Sequence, residues 1–334
     1  MKKRLLLPLL CFVVLTAAHA QHDTDFVKNI VFEGAGVRGI AYCGAIGELE
    51  ARSMMKHIEK VGGTSAGAIM ALTLALGYSS REISDIIAAT NFKRFNDGRF
   101  LFAGGINRVS KYFGWYRGEQ FERWLETIIA AKTGNADIRF AELSERGFRD
   151  LYITGTNLTR QELVIFSKYT YPDMKVKDAV RISMSIPLYF EAVFLDSSGH
   201  IVKHPRKKEA LDVLVDGGFT GNFPIRIFDS ANLPNPATLG FRIDRAEQIR
   251  NDQATRSLAS LPVTNLRQYL GAFYQMIIEN LNRQQLSEQD WQRTVSIDDG
   301  NISPRIRKLS KEEKDRLIEN GKRALQDYLK KQHG

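Results

Sequence analysis

The stretch Val61-Gly62-Gly63-Thr64-Ser65-Ala66-Gly67-Ala68-Ile69-Met70 places one serine between small residues, where a short apolar run becomes a helical pattern. A serine hydroxyl is a poor nucleophile unless it is exposed, its proton has an acceptor, and the developing oxyanion meets preorganised donors. A tight strand-turn-helix elbow meets the first condition. Gly63, Ala66 and Gly67 let the backbone turn without side-chain clash, and the helix that follows points its first amides at the same spot. An ordinary helix start, capped by Ser65 or Thr64, has the same local sequence. On this stretch alone both readings stand.

Upstream, Asn29-Ile30-Val31-Phe32 is a short apolar strand running into Gly34-Ala35-Gly36-Val37-Arg38-Gly39, after which Ile40, Ala45, Ile46 and Leu49 recur at helical spacing. Strand, glycine turn and helix converge backbone amides on an anion. Gly34, Gly36 and Gly39 also fit the dinucleotide fingerprint G-x-G-x-x-G. That fingerprint requires an acid ending a second apolar strand about twenty residues on. The nearest acid, Glu59, sits before the serine turn and not at a strand end, which counts against a nucleotide site.

Downstream, Val213-Leu214-Val215-Asp216-Gly217-Gly218 ends an apolar strand in a carboxylate, followed by two glycines that permit close approach. A plain Asp-Gly turn reads the same way. The histidines sharpen the choice: they are His19, His22, His57, His200, His204 and His333. In the order Ser…Asp…His only the penultimate residue, His333, follows Asp216, so a triad of that order is implausible. If Ser65 is a nucleophile, a carboxylate acting directly as base is the simpler solution, and Asp216 is the best-placed candidate.

Residues 1–20 read as a secretory signal: Lys2, Lys3 and Arg4 precede the apolar run Leu5 to Thr16, and Ala18-His19-Ala20 has the form of a cleavage site. The run is too short for a spanning helix. Cleavage after Ala20 would leave 314 of the 334 residues and lower the net charge from +9 to +6. So mild an excess argues only weakly for anionic partners, and no nucleic-acid motif is present. Only Cys43 would remain, which excludes an intramolecular disulfide, and no Cys/His cluster is spaced for a metal. Periplasmic or extracellular location follows as an expectation.

Further along, Ser79 and Glu82 form a capping box opening a helix. Residues 91–117 interleave aromatics with basic residues and glycines in no clean period. They are expected to be either an irregular segment folded on the core or a mobile flap touching lipid. Strands are expected at Asp150–Thr156, Glu162–Ser167, Thr238–Ile243 and Thr294–Ile297, with two more between Glu191 and Val215 around a loop bearing His200, Lys203, His204, Arg206, Lys207 and Lys208. Helices are expected from about Val176 to Ser183-Met184-Ser185-Ile186-Pro187 and after Ser310. Leu266, Tyr269, Leu270, Phe273, Tyr274, Ile277, Ile278 and Leu281 form an amphipathic stripe whose default role is core docking, with membrane contact as the alternative. With no internal repeat or low-complexity linker, residues 21–334 read as one domain.

The glycine turn after the first strand, the Gly63-Thr64-Ser65-Ala66-Gly67 elbow and Asp216-Gly217-Gly218, in that order, together resemble the patatin-like phospholipase family. Arg38-Gly39, the Ser183-Met184-Ser185-Ile186-Pro187 block and Gly218-Phe219-Thr220-Gly221-Asn222-Phe223-Pro224 add to the likeness, which covers residues 27–243 and leaves 244–334 as a C-terminal extension. It looks like a bacterial, secreted member. The resemblance implies a three-layer α/β/α fold with a mostly parallel central sheet, and a Ser-Asp dyad at Ser65 and Asp216. It also implies an oxyanion hole from the backbone of Gly34, Ala35, Gly36, Val37, Arg38 and Gly39. Ala35 departs from the family's usual glycine, and a required positive φ there would cost that donor. The implied activity is phospholipase A-type acyl hydrolysis without metal or cofactor, on phospholipid or another lipid ester, with peripheral membrane contact. A neutral-lipid or general carboxylesterase, and a non-catalytic lipid-binding protein of the same fold, are the alternatives.

Overall fold

The computed structural model describes residues 27–98, 101–206, 209–231, 233–266 and 285–333, with residues 268, 269, 271–273, 276 and 283 between the last two. The expected signal segment, and Lys207 and Lys208 of the basic loop, lie outside the described residues.

The strands are β1 (Asn29–Phe32), β2 (Lys60–Gly63), β3 (Gly114–Tyr116), β4 (Asp150–Asn157), β5 (Glu162–Phe166), β6 (Leu188–Phe190), β7 (Val193–Leu195), β8 (Asp212–Asp216), β9 (Thr238–Asp244) and β10 (Thr294–Asp298). The main sheet runs β10-β9-β1-β2-β4-β8-β7, with β5 also on β4. Its first five strands are parallel; β5 and β8 run antiparallel to β4, and β7, antiparallel to β8, runs with the first five. Parallel strands covered on both faces need apolar side chains on both, and Ile30, Val31 and Phe32 of β1 are wholly buried. Helices flank the sheet in a three-layer α/β/α arrangement: α1 (Ala41–Ala51) follows β1, α2 (Ala66–Ala75) follows β2, and α3 (Ser80–Ala89) begins with the expected Ser79–Glu82 capping box. The C-terminal helix Lys311–His333 packs on α1 and β10, with Leu317, Leu325 and Leu329 buried.

Two expectations change. Residues 91–117 contain a regular helix, α4 (Leu101–Tyr112), followed by β3, which pairs in parallel with β6. Its helical period is hard to see in the sequence because, among the side chains described, the buried ones are Gly105 and Arg108 rather than large apolar residues. Gly105 backs onto the Trp115 indole, and the buried Arg108 donates from Nε to the Trp115 carbonyl at 2.8 Å. The stripe beginning at Leu266 does not dock its described members: Leu266, Tyr269 and Phe273 are 72%, 57% and 52% exposed, and Met276 beside them is 49% exposed. Their 3-4-3 spacing puts them on one helical face. A stripe with apolar residues at so many positions is wider than a single docking face. Leu270, Tyr274, Ile277, Ile278 and Leu281 lie outside the described residues.

Candidate active site

Strand pairing brings Ser65 and Asp216 together. Ile153 of β4 pairs with Gly63 of β2 and also with Phe166 of β5, so β2 and β5 occupy opposite edges of β4. Gly155 pairs with both Val164 of β5 and Asp216 of β8, so β8 lies on the edge that β2 occupies further down. Since β8 is antiparallel to β4, the C-terminal ends of β2 and β8 meet end to end. Ser65, two residues past Gly63, reaches the level of Gly155 and Asp216.

The turn at Ser65 is strained. Its φ of 54° and ψ of −120° lie where a side-chain-bearing residue costs about 1–3 kcal/mol. Neighbours fix it there: the Ser65 N–H donates to Ser183 Oγ at 2.8 Å, the Gly67 N–H to the Thr64 carbonyl at 2.7 Å, and Thr64 Oγ1 to the Gly221 carbonyl at 2.8 Å. Gly67 permits helix α2 to lie against β1, because a Cβ there would come within 2.4 Å of the Phe32 carbonyl oxygen. Ser65 occupies the cap position of α2 yet its side chain makes no capping bond, which removes the ordinary-cap reading. Its hydroxyl points instead at Met184 Sδ, 3.4 Å away.

Asp216 is 4% exposed. Its Oδ1 accepts from the Gly218 N–H at 2.8 Å, while Oδ2 has no hydrogen-bond partner among the described residues. Burial pushes the carboxyl up to about 7, against the smaller lowering effects of Ser65 and the Gly218 amide. A carboxylate with one unsatisfied buried oxygen beside a serine is arranged to take a proton. Glu59, the acid that a nucleotide site would need, is exposed at the start of β2 and paired with Lys28.

The glycine turn folds as a short 3₁₀ helix, Gly36–Ile40. Ala35 has φ −136°, so alanine is accommodated without strain. Gly36 has φ 57°, and a Cβ there would lie 2.0 Å from the Pro304 carbonyl oxygen. Beyond the helix's own bonds, Gly34 donates to the Asn222 carbonyl at 3.0 Å and Val37 to the Pro304 carbonyl at 3.2 Å. Gly36, Val37 and Gly39 line the same cavity as Ser65 and Ala66. That cavity has a volume of about 450 Å³ and is walled mainly by apolar side chains, among them Ile69, Phe95, Trp124, Met184 and Ile306. No group of three or more His, Cys, Asp or Glu is placed to hold a metal among the described residues.

Sequence reasoning misses the contribution of the C-terminal extension. Asp299, just past β10, accepts from Arg38, while Pro304, Arg305 and Ile306 line the cavity. The one available signal is Asp298-Asp299-Gly300 at the end of an apolar strand, the same pattern as at Asp216. Ser183 and Met184 stand out in the sequence only as part of a block; the structure places both against Ser65.

The sequence profile described as patatin-like phospholipase matches residues 30–229. The uncharacterised protein YqhO of Bacillus subtilis (strain 168) is 30% identical over 311 residues, spanning 90% of this chain and 97% of that protein. The probable lipid hydrolase 463L of Invertebrate iridescent virus 6 is 27% identical over 203 residues, 60% of this chain and 63% of that protein. Among solved structures, VipD from Legionella pneumophila superposes with a TM-score of 0.55 at 16% identity, covering 91% of this chain and 67% of that one. At that identity the likeness is one of fold. Profile match and full-length relative together place the chain in the patatin-like phospholipase family.

Proposed function

We propose that this protein is a lipid acyl hydrolase of phospholipase A type, in which Ser65 attacks the ester and Asp216 is the base. The observation that carries the reading is the end-to-end meeting of β2 and β8, which sets Ser65 beside a buried carboxylate at an apolar cavity of about 450 Å³. In the first half-reaction the Ser65 hydroxyl turns from Met184 to Asp216 Oδ2. Its oxygen then bonds to the ester carbonyl carbon while Asp216 takes the proton. The Gly36 N–H of the glycine turn, at the cavity wall, receives the oxyanion. Collapse expels the lysolipid alkoxide, which recovers the proton from Asp216, and leaves an acyl-serine. In the second half Asp216 draws a proton from water, the hydroxide attacks the acyl carbon, and the fatty acid departs as Ser65 is reprotonated. Burial suits Asp216 to act as the base, because a free aspartate near 3.9 is too weak, whereas one near 7 accepts a proton readily.

Phe113 and Leu188, 47% and 68% exposed, support peripheral contact with a membrane, because Leu188 stands between the cavity residues Ile186 and Tyr189. The reading includes export, with cleavage after Ala20.

The decisive experiment incubates the protein with mixed phospholipid vesicles, calcium present or chelated, and measures fatty-acid release beside Ser65→Ala. Calcium-independent release that vanishes in the variant is expected. Release that persists in Ser65→Ala removes the assignment, and activity on neutral esters alone moves the protein to the carboxylesterase class.

A further inference from the structure

We infer that Arg305 binds the phosphate of the substrate and so makes the site selective for phospholipids over neutral acylglycerols; this rests on the hydrolase reading above. Among the described residues, Arg305 is the one charged residue lining the cavity that holds Ser65. It is exposed and also part of the lining, so it stands where the cavity opens to solvent. A phospholipid whose acyl chain fills an apolar cavity, with its ester carbonyl at Ser65, leaves its phosphate at that opening.

The loop carrying Arg305 is held on both sides. The preceding residue, Pro304, accepts the Val37 N–H at 3.2 Å, which fixes Arg305 one peptide unit from the glycine turn. The following residue, Ile306, packs against the core, and Arg307 makes a two-pronged pair with Glu313 at 2.8 and 2.7 Å. The other basic groups nearby are committed: Arg38 to Asp299 and Arg307 to Glu313. Arg305 makes no ion pair or hydrogen bond among the described residues. A guanidinium offers paired donors whose geometry matches two phosphate oxygens, and an unpaired one loses no existing partner when it binds. A neutral acylglycerol presents no such anion, and its hydroxyl or third ester gives Arg305 little to bind.

The test measures kcat/KM on dioleoylphosphatidylglycerol, dioleoylglycerol and a short-chain p-nitrophenyl ester, all in one nonionic detergent, for the wild type, Arg305→Ala, Arg305→Lys and Arg305→Glu. The expected result is a fall of about 10- to 100-fold in the phospholipid-to-diacylglycerol ratio for Arg305→Ala, with partial recovery in Arg305→Lys and a larger loss in Arg305→Glu. Raising salt should lower the ratio in the wild type and have little effect in Arg305→Ala. An unchanged ratio, or equal losses on both lipids, overturns the inference and leaves the hydrolase reading intact. A wild type active on the short ester but not on phospholipid overturns the inference and the phospholipase reading together, and leaves only a serine esterase at Ser65. Inactivity on all three substrates sinks the hydrolase reading and this inference with it.

Discussion

Arg38 Nη1 lies 2.9 Å from Asp299 Oδ2, joining residues 261 positions apart, and Arg38 Nε donates to the Ala35 carbonyl at 3.2 Å. One guanidinium therefore ties the glycine turn both to itself and to the loop after β10. Asp299→Ala should lower kcat by about 10-fold or more with little change in KM, since loss of a whole oxyanion donor costs about 10²–10³. Asp299→Asn, which keeps an acceptor, should recover part of the rate. Equal loss of rate in both variants, tracking loss of folded protein, would mean the contact is structural only.

Within the same turn, Ala35→Gly should leave kcat/KM within about twofold, because the φ of −136° at Ala35 needs no glycine. Gly36→Ala should be severe, since it strains a φ of 57° and drives a methyl into the Pro304 carbonyl. Parallel ester assays and thermal melts of the two variants check the contrast.

Strain at Ser65 yields a stability prediction opposite in sign to its activity prediction. Ser65→Gly should abolish ester hydrolysis while stabilising the fold by about 1 kcal/mol, because glycine adopts the Ser65 backbone angles without side-chain strain. Urea unfolding of the variant and the wild type measures this. A variant markedly less stable than the wild type would contradict a strained elbow.

The Asp216 carboxyl, raised from 3.8 to about 7, fixes two pH dependences. The proposed base works when deprotonated, so kcat/KM should rise with pH through about 7 and then level off. Stability runs the other way: a raised folded-state value favours the protonated form. Its contribution is therefore complete below the unfolded value near 3.8 and is lost as pH rises through about 7. Asp216→Asn removes that loss, so relative to the wild type it should gain stability between pH 4 and 8, by up to about 4 kcal/mol. Chemical denaturation across that range tests the sign, and a flat difference would show that the carboxyl is not shifted.

The elbow around Ser65, the glycine turn and the Asp216 strand end are legible because each is local chemistry: small residues where the backbone must turn, and an acid where an apolar strand stops. The capping box at Ser79 and most strands are legible for the same reason. Helix α4 is not, because the buried residues described on it are a glycine and an arginine that find their partner in Trp115. The exposed face at Leu266 defeats the docking expectation because periodicity reports that a face is apolar, not whether anything covers it. Ser65 is equally a helix cap by sequence, and only its backbone angles and the missing capping bond separate the two.

The sequence by itself determined which residues can react and which turns can form, since those depend on neighbours a few positions away. Only the tertiary structure decided that β2 and β8 abut on one edge of β4 and so set Ser65 beside Asp216. It alone shows that residues 299–306 close the glycine turn and the cavity from far along the chain. Register and loop return are settled by packing between distant segments, and a single chain read in order carries no local mark of either.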